Sequence, residues 1–144
     1  VCKHEDVYPG VCYTRDVEIK DNILWDNYLV QAKEDASFDY VFHLEANINV
    51  VMPDGIKKVE SNMGYTENGY QHILEAYHIN TQNELIINAS LDNKKIKLCL
   101  MDLKDKDVYI LKTMDNPVNK TRTTLLVRSF GKLIDYKMRL EIKE

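Results

Sequence analysis

Few residues in this chain have the types and spacing that chemistry requires. His43 and Glu45 occupy alternate positions in residues 38–50, so on an extended strand they share a face. A histidine beside a carboxylate is a simple acid–base pair, but a single strand histidine is more commonly a hydrogen-bonded structural residue. His72 and His78 are six residues apart on one predicted strand. At roughly 3.4 Å per residue that is about 20 Å, too far to hold one metal ion together. Cys99 could act as a nucleophile with a distant histidine, yet no helix N-terminus or basic setting is visible to lower its pKa. Its apolar run, residues 96–103, makes it a small core residue instead. Asp16, Asp26, Asp39 and Glu45 lie on strands, and nothing in their spacing sets two of them across a cleft as glycoside hydrolysis requires. Trp25, Tyr65 and Tyr70 could stack on sugar rings. Trp25 reads as core, which leaves the two loop tyrosines as the better platform.

These residues need strands to position them. Residues 38–50 put Phe38, Tyr40, Phe42, Leu44, Ala46, Ile48 and Val50 on one face, and Asp39, Val41, His43, Glu45, Asn47 and Asn49 on the other. So long a half-buried strand belongs in mid-sheet. Before it, residues 1–10 read as a lead-in that ends in the turn signal Tyr8, Pro9, Gly10. Residues 11–20 alternate cleanly, Asp21 and Asn22 make a short hairpin connection into residues 23–30, and residues 33–37 form a polar turn. Pro53, Asp54 and Gly55 close the long strand, and residues 56–69 are a long loop with one short strand. Strands follow over residues 71–80, 84–91, 95–102 and 107–114, with turns at Asp92-Asn93 and Asn116-Pro117. Residues 123–130 and 133–142 flank Gly131-Lys132 as a terminal hairpin, with one buried and one wet face. No stretch keeps a helical period. The pattern predicts an all-β fold, an antiparallel β-sandwich of about nine to ten strands in a single domain spanning residues 1–144.

The composition agrees. The chain has 144 residues, 44% of them hydrophobic and 29% charged, which suits one globular core. A net charge of −4 with interspersed signs gives no surface for nucleic acid or an anionic membrane, and no apolar run approaches a membrane span. Three cysteines, Cys2, Cys12 and Cys99, are neither a disulfide framework nor a zinc motif, and the redox state of Cys2 and Cys12 stays open. The sequons at Asn88 and Asn119 matter only in a eukaryotic secretory setting. The opening at Val1 and the absence of a signal peptide read as a segment of a longer protein.

Four segments in order carry a resemblance. They are Val7-Tyr8-Pro9-Gly10-Val11 with Thr14-Arg15, and Leu24-Trp25-Asp26 leading to Phe38-Asp39-Tyr40-Val41-Phe42-His43. Gly69-Tyr70-Gln71-His72-Ile73 follows, and then Asp107-Val108-Tyr109 with Asn116-Pro117 and Leu126-Val127-Arg128-Ser129. Together they resemble the C-terminal β-sandwich part of the heparinase II/III-like polysaccharide lyases, which shade into alginate lyases. Asp16 after the arginine, and the stretch 57–67, depart from that pattern. Such lyases cleave uronic-acid polysaccharides by β-elimination, which neutralises the uronate carboxylate, abstracts the C5 proton and protonates the leaving oxygen.

In that family most catalytic residues come from an N-terminal α/α toroid, with one histidine and metal ligands from loops early in the β part. Neither loop motif occurs here, so the resemblance assigns no catalytic residue, no metal ligand and no cofactor, and matches His43 to a structural strand histidine. It implies a non-catalytic module of a bacterial periplasmic or secreted lyase of glycosaminoglycan or alginate degradation. Its partners would be the toroid of the same protein and an acidic polysaccharide. The residues themselves, rather than the resemblance, offer Tyr65, Tyr70 and His43 as the candidate carbohydrate-binding residues. A stand-alone carbohydrate-binding module is the rival reading. A lipocalin-like barrel for an apolar ligand is favoured only by strand count.

Overall fold

Among the described residues, alternation along the chain builds ten antiparallel strands. They are β1 (Cys2–Tyr8), β2 (Val11–Lys20), β3 (Ile23–His43), β4 (Asn49–Val51), β5 (Ile56–Val59), β6 (Ile73–Ile79), β7 (Leu85–Leu91), β8 (Lys94–Met101), β9 (Asp107–Met114) and β10 (Thr121–Lys143). A 3-10 turn, Tyr70–His72, precedes β6. The computed structural model describes every residue except 46, 82, 117, 118 and 144, and only the backbone of residues 2–7. The predicted places of Ala46 on a strand face and of Pro117 in a turn, and the state of the Cys2 and His4 side chains, therefore lie outside the described residues. Among the described residues no helix is long and apolar enough to cross a membrane.

The predicted all-β antiparallel fold is what the chain adopts, as one sheet that forks. Three three-stranded sheets, β1-β2-β3, β4-β7-β8 and β5-β6-β9, meet only on β10. One edge of β10 pairs with β3 along nearly its whole length. The other edge is shared, residues 121–128 pairing with β9 and residues 137–143 with β8. The two branches fold over a common core in which Leu98, Leu100, Ile87 and Met138 from one layer meet Val108, Ile110, Leu125 and Val127 from the other.

Two expected connections are absent, for one reason. Residues 33–37 are not a chain-reversing turn, and Gly131-Lys132 is not a hairpin tip; both lie inside continuous strands. Across this point Gly131 pairs with Ala36 and Leu133 with Gln31, so residues 32–35 bulge opposite Lys132 alone. Gly131 takes φ +148, in the region that favours glycine. The strand pair thus turns a corner as a unit. Its sharpness is visible in one bond, because the Tyr40 hydroxyl donates to Asp26 Oδ2 at 2.7 Å although both sit on β3, 14 residues apart. A straight strand would separate them by about 48 Å.

Three smaller expectations change. Residues 1–10 are not a lead-in, because β1 pairs with β2. The long strand ends at His43 rather than at Val50, as Ile48 N–H turns back to the Glu45 carbonyl at 3.0 Å. Trp25 is half-buried under the Arg139 guanidinium, 6.0 Å from its ring centroid, rather than in the core. The Asp21-Asn22 turn is as expected, with φ of 52° and 61° at the two residues.

Candidate functional site

On the face of the sheet turned away from the core, strand register sets Asp39 of β3 beside Arg128 of β10, and Arg128 beside Asp107 of β9. Arg128 takes Asp39. Its Nε donates to Oδ1 and its Nη2 to Oδ2, each at 2.8 Å, the two-pronged geometry that a guanidinium and a carboxylate share. The next row places Val41, Leu126, Tyr109 and His78, and the row after it His43, Thr124, Leu111 and Ala76. Leu126, Leu111, Ala76 and Ile73 form a small second apolar cluster there. An uncovered patch of that kind must be capped, and residues 60–72 cap it.

That loop is built from successive turns. Tyr65 N–H donates to the Asn62 carbonyl at 2.9 Å, and His72 N–H to the Gly69 carbonyl at 3.1 Å. Met63 and Tyr70 pack on the cluster. The Tyr70 hydroxyl donates to Asp39 Oδ2 and accepts from Arg128 Nη2 at 3.0 Å. Tyr65 lies against Tyr70, ring centroids 4.8 Å apart. The Arg128 guanidinium sits 5.0 Å from the Tyr65 centroid, 5.8 Å from Tyr70 and 5.9 Å from Tyr109. An arginine flanked by three rings and tied to a carboxylate is well held. Burial, with the Asp39 carboxylate second, pushes the Tyr70 hydroxyl up to about 12, so it keeps its proton at physiological pH.

Two clefts flank this cluster. The larger, about 620 Å³, lies at the corner and is walled by Tyr13, Tyr28, Phe38 and Tyr136 as well as Tyr8, Tyr65, Tyr70 and Arg128. The smaller, about 470 Å³, runs past Tyr70 to His43 and Thr124. Both lie in the size range of ligand sites.

The structure brings Tyr65 and Tyr70 together and places His43 on the same face, in the wall of the smaller cleft. It does not pair His43 with Glu45. His43 Nδ1 meets Thr124 Oγ1 at 2.8 Å, and Thr124 Oγ1 meets Thr113 Oγ1 at 2.8 Å. Burial, then the charge of Arg122, lowers the His43 pKa and favours the neutral ring. In an NMR titration we expect the His43 ring to protonate below the ordinary value of about 6.5, and Arg122→Gln to move that midpoint upward. Because the folded state holds the neutral ring, the unfolded chain protonates first on acidification. This contribution to stability is therefore present above about pH 6.5 and lost as pH falls through the folded midpoint.

The other candidates disperse. His72 sits in the 3-10 turn, and His78 pairs with Asp107 at 3.0 Å. Cys99 is 1% exposed and donates to Glu84 Oε1 at 3.0 Å. Burial, with Glu84 second, pushes its thiol up to about 11, which makes it inert. Asp26 is buried on the opposite face of β3 from Asp39, and an arginine holds each of them. They are not an acid–base pair. Among the described residues no three histidine, cysteine or carboxylate side chains converge on a metal position.

Sequence reasoning missed Arg128, Tyr109 and Tyr8 as site residues. Arg128 stands 89 residues from Asp39, and only the β3–β10 register joins them. No protein-family model matches the chain, and no curated protein matches it.

Proposed function

We propose that this chain is a non-catalytic, glycan-holding β-sandwich module of a polysaccharide lyase that cleaves uronic-acid polysaccharides by β-elimination. The observation that carries the reading is the Tyr65–Tyr70 pair over Arg128 and Asp39 in the wall of the 620 Å³ cleft. Exposed aromatic rings beside fixed polar groups suit sugars, which present apolar ring faces and a rim of hydroxyls. The same geometry argues against chemistry at this place. β-Elimination calls for a free cation on the uronate and a hydroxyl that exchanges its proton readily. Arg128 commits Nε and Nη2 to Asp39, and Tyr70 keeps its proton to about pH 12.

The ordered segments that resemble the lyase family supply the rest of the proposal. The module packs on an α/α toroid of the same protein, supports its cleft, and works in the bacterial periplasm or outside the cell. The test offers the chain heparin, heparan sulfate, chondroitin and alginate while unsaturated-uronate absorbance is followed, alone and with the toroid added. We expect silence alone and turnover with the toroid. Turnover by the chain alone would overturn the non-catalytic reading. Failure to associate with any toroid would favour the stand-alone binding module.

A further inference from the structure

The two clefts beside the tyrosine pair share Tyr8, Asp39, Asn68 and Tyr70 in their walls, so they adjoin as one trough that runs from the corner residues Tyr28, Val30 and Phe38 onto the outer side of β3 at Asp39, Val41 and His43. From Phe38 in the larger cleft to His43 in the smaller, the strand covers about 17 Å at roughly 3.4 Å per residue. That is longer than a single sugar ring. Tyr8 and Tyr65 are 66% and 46% exposed, so ring surface is open to a ligand along the trough.

The charges in the trough cancel. Asp39 and Arg128 neutralise each other at 2.8 Å, and His43 is the remaining titratable base, biased to its neutral form. A carboxylate or sulfate approaching Arg128 meets the Asp39 carboxylate on the same guanidinium, and like charges at that range repel. Asn68, which offers both donor and acceptor, and the Nη1 group of Arg128, which the Asp39 and Tyr70 bonds do not use, suit hydroxyls instead.

From this geometry we propose that the trough binds an extended, uncharged stretch of glycan, stacking sugar faces on Tyr8, Tyr65 and Tyr70 and forming no ion pair with a uronate. The inference rests on the glycan-holding reading of the site and narrows it. Any uronate recognition by the lyase would then fall to other parts of the protein.

The experiment is titration calorimetry of the chain against neutral gluco-, manno- and xylo-oligosaccharides, and against alginate and heparin oligosaccharides, at low and high salt. We expect neutral oligosaccharides to bind with an affinity that salt leaves unchanged. Uronate oligosaccharides should bind no tighter, and Tyr65→Ala should weaken binding at least tenfold. Tyr65 is exposed enough for that variant to fold, which circular dichroism checks, and Tyr8→Ala gives a second, independent loss. Binding confined to uronate oligosaccharides, weakening steeply with salt, would overturn the uncharged-glycan inference and leave the glycan-holding reading intact. Binding of no glycan by the folded chain would overturn both.

Discussion

Arg15→Leu is expected to lower the free energy of unfolding by about 3–5 kcal/mol, the cost of stripping the partner from a buried charge. The Asp26 side chain is 1% exposed. It accepts Arg15 Nε at 2.9 Å, Arg15 Nη2 at 2.6 Å and the Tyr40 hydroxyl at 2.7 Å. Without Arg15 the carboxylate keeps one neutral donor in a site that water does not reach. The reverse change, Asp26→Leu, is expected to cost less, about 1–3 kcal/mol for the orphaned Tyr40 hydroxyl. The Arg15 side chain is 49% exposed and can turn to solvent. The double variant should recover much of the loss, since an apolar pair replaces a buried ionic one. Urea unfolding followed by far-ultraviolet circular dichroism measures all three. An Arg15→Leu protein no less stable than Asp26→Leu would show that this bond does not hold the corner.

Asp39→Ala is expected to cost about 3 kcal/mol and to loosen the loop that carries Tyr65 and Tyr70. Arg128 and Asp39 side chains are 17% and 16% exposed, so the guanidinium left behind stays among rings with its charge uncompensated. Tyr70 loses its acceptor at the same time. The readout that separates this from a general loss of packing is the tyrosinate absorbance on alkaline titration. Tyr70 ionises at about 12 in the intact protein, chiefly through burial and then through Asp39. Its folded pKa lies above the ordinary value of about 10. The stability it supplies is therefore complete below pH 10 and lost as pH rises toward 12. Tyr40 and Tyr136 also titrate late, so in Asp39→Ala one tyrosine of this late set should shift downward, a shift that Tyr70→Phe removes, and glycan binding should fall with it. An unchanged alkaline titration would mean that the Tyr70–Asp39 bond does not govern the loop.

Much of the fold can be read from alternation. Residues 11–20 alternate along their strand, and residues 94–101 put Ile96, Leu98 and Leu100 on one face, whereas 107–114 carries apolar residues on both faces and reads as a strand from its short run between turns. The corner cannot be read in this way. A polar run such as Lys33-Glu34-Asp35, or a glycine beside a lysine at Gly131-Lys132, has the composition of a turn whether or not the chain reverses. Only the partner strand decides, and here β3 and β10 bend together so that neither needs to stop. The site divides along the same line. Tyr65 and Tyr70 are legible as aromatics in a glycine-containing loop. Arg128, which organises them, reads as one cation on the wet face of a strand until the register sets it beside Asp39.

β10 comes after every strand that it joins. While the chain is being made on the ribosome, residues before Thr121 can form three three-stranded sheets, one a meander and two interleaved in sequence, each with apolar side chains that have no opposing layer and with bare edges. Such surfaces attract one another and invite aggregation. The nascent protein must therefore stay soluble without its spine until β10 emerges, and then close contacts more than 80 residues apart, such as Thr124 to His43, in a slow step. Production of this protein should depend on chaperone capacity during synthesis more than on the stability of the finished fold.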